Sequence, residues 1–277
     1  MRPKPRLSNL STKRIQLIVA YDGTDFRGWA AQTGQRTVHG TLTEAVRQIS
    51  GEEIEIIGAS RTDGGAHAKG QSCHFDTTNP MPTENWVRAL NDRLPPDVSV
   101  MLAKERSRRF HARFWAIGRR YRYRYLFMNR DPHRTRFAHW IGREPDYEAM
   151  AQAAKRFVGE RDFRAFGEEL EGLVNTTRII YETQVRHVGD EIYLDVFGTA
   201  FIRGMMRRMA GFLLQVGQGQ RPASDLGILF DPRERERITW PPVLPAGGLT
   251  LMKVEYGQYP REQVRTGDET TTEETEE

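Results

Sequence analysis

Apolar residues in this chain follow two spacings in turn. Val38, Leu42, Ala45, Val46 and Ile49 recur at three- and four-residue intervals and predict a helix that Ser50-Gly51 stops. Thr41-x-x-Glu44 has the form of a capping box for it. Short continuous or alternating runs predict strands at Ile15–Ala20, Glu53–Ile57, Gly70–Phe75 and Val98–Ala103, with a short helix from Thr83 to Asn91. Beyond residue 113 the pattern starts again. Arg119–Phe127 alternates Arg with Tyr, which sets Tyr121, Tyr123 and Tyr125 on one face and Arg120, Arg122 and Arg124 on the other. Asp146 caps a helix to Val158, and Thr176–His187 and Glu191–Gly198 form a pair of strands around Gly189-Asp190. Phe201–Val216 is helical, and Leu249–Tyr256 is a last strand.

Strands that alternate irregularly with helices predict an α+β fold. The expected organisation is a basic arm (1–14), an N-terminal α/β half (15–112), a C-terminal α/β half (113–257) and an acidic, disordered tail (258–277). The residues themselves show no internal repeat. Neither GxGxxG nor GxxxxGK[ST] occurs, so no nucleotide cofactor is expected.

Composition narrows the function. At 277 residues, 38% hydrophobic and 28% charged, with no apolar run near the ~18 residues of a membrane span, the chain reads as soluble and cytoplasmic. A single cysteine, Cys73, excludes an internal disulfide, and scattered histidines make no zinc motif, so no metal is expected. The formal charge of +4 conceals an asymmetry. Residues 1–266 carry 41 basic against 31 acidic side chains, and residues 101–136 alone hold twelve Lys or Arg against Glu105 and Asp131. So much arginine points to a polyanion, nucleic acid first.

Three groups of residues could carry chemistry on such a partner. Arg61 and Asp63 stand in a glycine turn, Arg61-Thr62-Asp63-Gly64-Gly65, that can hold a carboxylate at the mouth of a cleft. The Tyr/Arg strand offers rings to stack on a base and guanidiniums to hold phosphates. Arg203 and Arg207 lie one turn apart on an apolar helix, where an arginine calls for a carboxylate or phosphate to answer it. An ionised aspartate near an arginine and a stacking tyrosine can act on a flipped nucleotide with neither metal nor cofactor. A metal-assisted hydrolase built on Asp63, His67, His74 and Cys73 is the rival arrangement.

Several stretches together carry a resemblance. Ser60-Arg61-Thr62-Asp63-Gly64-Gly65-Ala66-His67-Ala68 is similar to the signature GRTDAGVHA of the TruA family of tRNA pseudouridine synthases, and Gly70-Gln71-Ser72-Cys73-His74-Phe75 to its GQVxxF continuation. Tyr21-Asp22-Gly23-Thr24, Gly28-Trp29, Thr37-Val38-His39-Gly40, Phe110-His111-Ala112-Arg113-Phe114, Arg120-Tyr121-Arg122-Tyr123 and Phe201-Ile202-x-x-Met205-Met206-Arg207 resemble further family elements in the same order.

The resemblance implies a pseudouridine synthase fold, two RRM-like halves around a central antiparallel sheet with a basic cleft. It implies isomerisation of uridine in the anticodon stem-loop of tRNA, at positions 38–40, by a homodimer without cofactor. Asp63 would be the nucleophile. Tyr121 would stack on the target base, Arg207 would pair with Asp63, Arg61 would fill the gap left by the flipped base, and Gln71 and Leu249 would complete the substrate pocket. Arg113, Arg120, Arg122 and Arg124 would meet the RNA backbone. The alternative is a tRNA-binding protein or RNA chaperone without chemistry. The chain departs from the family pattern at Gly64, Ala66, Ala30, His39 and Arg161, and most in the acidic segment Gly167–Leu173.

Overall fold

The computed structural model describes residues 11–173 and 175–257. Most of the expected basic arm and the acidic tail lie outside the described residues. The first half runs β1 (Lys13–Tyr21), α1 (Val38–Ser50), β2 (Ile57–Gly58), β3 (His67–Thr77), α2 (Asn85–Asn91) and β4 (Val98–Arg106). The second runs β5 (Ala116–Phe127), β6 (His139–Gly142), α3 (Tyr147–Lys155), β7 (Gly159–Asp162), β8 (Thr177–Val188), β9 (Glu191–Gly198), α4 (Met205–Gly217), α5 (Asp225–Phe230) and β10 (Leu249–Tyr256).

The strands form one sheet in the order β4-β1-β3-β10-β5-β9-β8-β7, with β2 on β3 and β6 on β5. In the first half this is a βαββαβ unit with strand order 4-1-3-2. If β6 and β7 are taken as additions, β5, α3, β8, β9, α4 and β10 repeat the same plan. The halves join where β10 runs parallel to β3, Thr250 opposite His67 and Leu251 opposite Ala68. On its other side Leu251 faces Tyr121 of β5. The strand that follows the Asp63 turn is thereby set one strand away from the Tyr/Arg strand.

Helices lie on the tyrosine face of the sheet. Tyr125 donates its hydroxyl to the Ala210 carbonyl of α4 at 2.9 Å, Thr183 of β8 donates to Ala154 of α3 at 2.9 Å, and Phe75 of β3 meets Trp86 of α2 edge to face. Tyr123 and Tyr125 are fully buried. The arginines alternate to the opposite face and form a ladder of ion pairs with acids from adjacent strands. Arg122 is bidentate on Asp195 at 2.7 and 3.1 Å, and Arg124 on Glu191 at 2.7 and 2.8 Å. Arg120 bridges Glu182 at 2.8 Å and Glu255 at 3.0 Å.

Several elements differ from the sequence reading for local reasons. Thr37, not Thr41, caps α1; its hydroxyl accepts the Gly40 N–H at 3.2 Å, and the Thr41 N–H is already bonded to the Thr37 carbonyl. Glu44 instead holds Arg47 and Gln48 on the helix surface. The segment before Ile57 is not a paired strand. Its alternation reflects Ile54 and Ile56 packing on the core while Glu53 and Glu55 face water, and only Ile57 and Gly58 pair with β3. The helix that carries Arg207 starts at Met205, after Gly204 in the left-handed region (φ 73°). Arg203 therefore lies in the preceding turn, where it pairs with Glu169.

Candidate active site

The turn that carries Asp63 is held from three sides. Below it, Gln71 of β3 clasps Ser60: its side-chain amide donates to the Ser60 carbonyl at 2.6 Å, and its amide oxygen accepts the Ser60 N–H at 3.3 Å. To the side, the Tyr121 hydroxyl and Ser60 Oγ share a hydrogen bond at 2.7 Å, and the Tyr21 hydroxyl and Thr62 Oγ1 another at 2.8 Å. Above, the loop between β1 and α1 runs backbone against backbone. Trp29 N–H donates to the Thr62 carbonyl and Gly65 N–H to the Phe26 carbonyl, both at 3.1 Å.

That close approach explains two glycines. A Cβ at Gly28 (φ 90°) would stand 2.5 Å from the Thr62 oxygen, and one at Gly23 would stand 1.9 Å from the Ala66 oxygen. His67 closes the frame. Its Nδ1 accepts the Gly23 N–H at 3.0 Å, and its Nε2 side is shared by the Arg136 and Gly247 carbonyls at 3.1 Å each. Burial pushes the imidazole pKa down, so it stays neutral although an Asp22 oxygen lies 3.2 Å from Nδ1.

Within this frame Asp63 is only partly buried, its side chain 22% exposed, and its Oδ2 accepts from Arg207 at 3.1 Å. Arg207 comes from α4 in the other half. Its Nε donates to the Leu244 carbonyl at 2.6 Å, which fixes the guanidinium plane, and the Glu168 carboxylate stands 3.8 Å away. The ring of Tyr121 is 5% exposed and meets Phe201 edge to face, 4.9 Å between centroids. Burial pushes its phenol pKa up, with the Asp63 charge adding to the shift. Tyr121 is thus a neutral hydroxyl, able to move a proton only by giving up its own, and Ser60 Oγ is its partner. A carboxylate held by a guanidinium and set beside an apolar ring can attack an electrophile that enters the cleft.

The structure brings Asp63, Arg207 and Tyr121 together. Arg61, in the same turn, is exposed and makes no hydrogen bond or ion pair with any described residue. Leu249 is 5% exposed on the tyrosine face, opposite Tyr123. Gln71 is corrected from a substrate contact to a positioning residue: it is fully buried, and both ends of its amide are occupied by Ser60.

Arg120, Arg122 and Arg124 are corrected more sharply, because they face away from Tyr121 and their charge is met by carboxylates. If Arg122 held a phosphate, Arg122→Ala would lower the slope of log Kd for tRNA against log salt by about one. The expected result is no change in slope and a small loss of stability, since Asp195 keeps Arg186 at 2.7 Å.

Four positions that the sequence reading left unassigned prove to matter: Ser60, Tyr21, Gly23 and Gly28. The spacing of Tyr21-Asp22-Gly23 and Gly28-Trp29 was the available signal, since two glycines in one loop mark close backbone approach.

The metal arrangement has no support in the placement of its members. The His74 Nδ1 accepts the Ala112 N–H at 3.2 Å, burial takes its pKa down to about 4, and Cys73 is fully buried. Among the described residues no group of three His, Cys, Asp or Glu is placed to hold a metal ion, and no helix is long and apolar enough to cross a membrane.

Comparison with known proteins matches the chain to a family described as tRNA pseudouridine synthase, over residues 17–115 and 153–257. The chain is 37% identical over 247 residues to tRNA pseudouridine synthase A of Brevibacillus brevis, covering 88% of this chain and 100% of that protein. It is 37% identical over 246 residues to the protein of the same name from Exiguobacterium sp., covering 88% and 98%. To that of Myxococcus xanthus it is 36% identical over 249 residues, covering 89% and 93%.

Proposed function

The chain belongs to the family of tRNA pseudouridine synthases, and from that premise we propose that Asp63 is the nucleophile that isomerises uridine in the anticodon arm, at positions 38–40. The family reaction turns uridine in tRNA into pseudouridine. It breaks the C1′–N1 bond and makes a C1′–C5 bond; C5 loses a proton and N1 gains one, so no external reactant is consumed. The observation that carries the assignment is the Asp63–Arg207 pair at 3.1 Å, built from both halves of the fold with both side chains still about one-fifth exposed.

In this reading the target nucleotide leaves the stack, at a cost of a few kcal/mol that is least in a loop. The uracil lies against Tyr121, and Asp63 attacks the flipped nucleotide while Arg207 holds the carboxylate in place. After the base has turned and rejoined through C5, the Tyr121 hydroxyl takes the C5 proton as it passes its own to Ser60 Oγ, Ser60 releases one to solvent, and N1 takes one from solvent. Arg61, exposed and without a partner among the described residues, occupies the space that the flipped base vacates. Leu249 forms a wall of the pocket. The enzyme works as a homodimer, a reading supported by exposed apolar side chains on edge strand β4, Met101 at 60% and Leu102 at 52%.

The test is an unmodified tRNA transcript incubated with the enzyme, followed by mapping of pseudouridine, with light scattering on the same preparation. Pseudouridine at positions 38–40 is expected. Product only at other positions overturns the anticodon assignment, and tight binding without product overturns the catalytic one.

A further inference from the structure

Much of the positive charge counted between residues 101 and 136 is cancelled in three dimensions. Arg120, Arg122, Arg124, Arg134 and Arg136 each pair with acids from β8–β10 or from the loops that flank β1 and β9. Of the remaining seven, Arg119 is buried, Arg130 lies over the Trp140 ring, and five stand together. Lys104, Arg106, Arg108, Arg109 and Arg113, at the end of β4 and in the loop before β5, have no carboxylate partner among the described residues. Beside them stand two of the large exposed hydrophobic side chains, Phe114 at 76% and Trp115 at 50%.

This loop is not loose. Arg14 donates to the Phe110 carbonyl at 2.6 Å, the Ala112 N–H is held by His74, and the Tyr256 hydroxyl donates to the Ala112 carbonyl at 2.7 Å. The strongest tie is Arg119, 7% exposed, whose guanidinium donates to the carbonyls of Arg113 (3.1 Å), Thr199 (2.7 Å) and Ala59 (2.8 Å). Among the described residues those carbonyls are its only hydrogen-bond partners, and burying a charge on such terms is costly. Ala59 opens the turn that carries Asp63, so Arg119 fixes the aromatic loop relative to the active site. Within the loop the His111 ring lies against Phe114, 4.2 Å between centroids at 30°, and Trp115 packs edge-on against Phe110 at 5.8 Å.

Two aromatic rings presented to solvent on a rigid, unneutralised basic loop are what an unpaired base on a phosphate backbone requires. We infer that Phe114 and Trp115 form a stacking platform for an unpaired nucleobase of the tRNA substrate, outside the catalytic pocket, with Arg113 and its basic neighbours holding the adjoining phosphates. The inference rests on the assignment of tRNA as substrate and adds a second base-binding site to it.

The experiment compares full-length wild type with Phe114→Ala, Trp115→Ala, the double variant and Trp115→Phe. It measures Kd for unmodified tRNA across salt concentrations, the single-turnover rate at saturating tRNA, and mass by light scattering. The double variant should raise Kd about tenfold to a hundredfold, with the salt slope kept and the saturated rate within about twofold. Trp115→Phe should bind almost as wild type does. Phe114 is too exposed for its removal to unfold the chain, so Phe114→Ala alone should still weaken binding severalfold. A double variant with wild-type Kd overturns the inference, as does weaker binding that appears only together with a change in mass, which would make the patch a contact between copies. If wild type binds tRNA but forms no pseudouridine, the catalytic reading fails, and Kd still decides the platform.

Discussion

Replacing Asp63 with asparagine should lower the single-turnover rate of pseudouridine formation by at least about ten thousandfold and leave the fold and tRNA affinity nearly intact. Asparagine keeps the shape and can still accept the Arg207 hydrogen bond, but it has no anionic oxygen to offer. Nothing that positions the turn depends on the carboxylate. Gln71 holds Ser60, Tyr21 holds Thr62, and the β1–α1 loop bonds to the Thr62 carbonyl and the Gly65 N–H. The pair that is lost has both partners about one-fifth exposed, so its contribution to stability is about 1 kcal/mol or less. Circular dichroism and tRNA binding indistinguishable from wild type, with product below detection, is the expected set. More than about 1% of wild-type turnover would move the nucleophile elsewhere.

How much of this could be read from the chain alone depended on whether the signal was local. The strand Leu249–Tyr256 and the hairpin around Gly189-Asp190 were legible because period-two patterning and turn residues are local properties. The Asp63 turn was legible because an arginine, an aspartate and two glycines fall within five residues.

What was not legible depends on pairing at a distance. The twofold βαββαβ plan leaves no trace as a residue repeat, because the two halves satisfy the same topology with different side chains and β6 and β7 interrupt the second. The arginines of β5 look like an RNA-binding stripe until Asp195, Glu191 and Glu255 arrive from strands far along the chain. Burial works to raise the Glu191 carboxyl, but hydrogen bonds from Arg124 and Arg134 outweigh it and hold it below the usual carboxylate range. Gln71 carried a similar ambiguity. The family resemblance places it in the substrate pocket, and its complete burial against Ser60 shows that it shapes the Asp63 turn.

Arg207→Ala should cut turnover about a hundredfold to a thousandfold while Kd for tRNA changes by less than about threefold. The guanidinium makes two bonds that no smaller cation reproduces at once, Nε to the Leu244 carbonyl at 2.6 Å and a terminal nitrogen to Asp63 at 3.1 Å. Lysine, with one nitrogen on a flexible stem, should therefore recover little of the rate. Glu168 makes the case more specific. Its carboxylate lies 3.8 Å from the same terminal nitrogen, so removal of Arg207 takes away the cation that stands between the two carboxylates. Part of the loss is then repulsion as well as lost aim, and adding Glu168→Gln to Arg207→Ala should restore a fraction of the rate. The double-mutant cycle separates these contributions. A double variant no faster than Arg207→Ala would assign the whole effect to positioning. An equal fall in affinity and turnover would instead make Arg207 a contact for the tRNA, and Asp63 would lose the partner that its chemistry is argued to need.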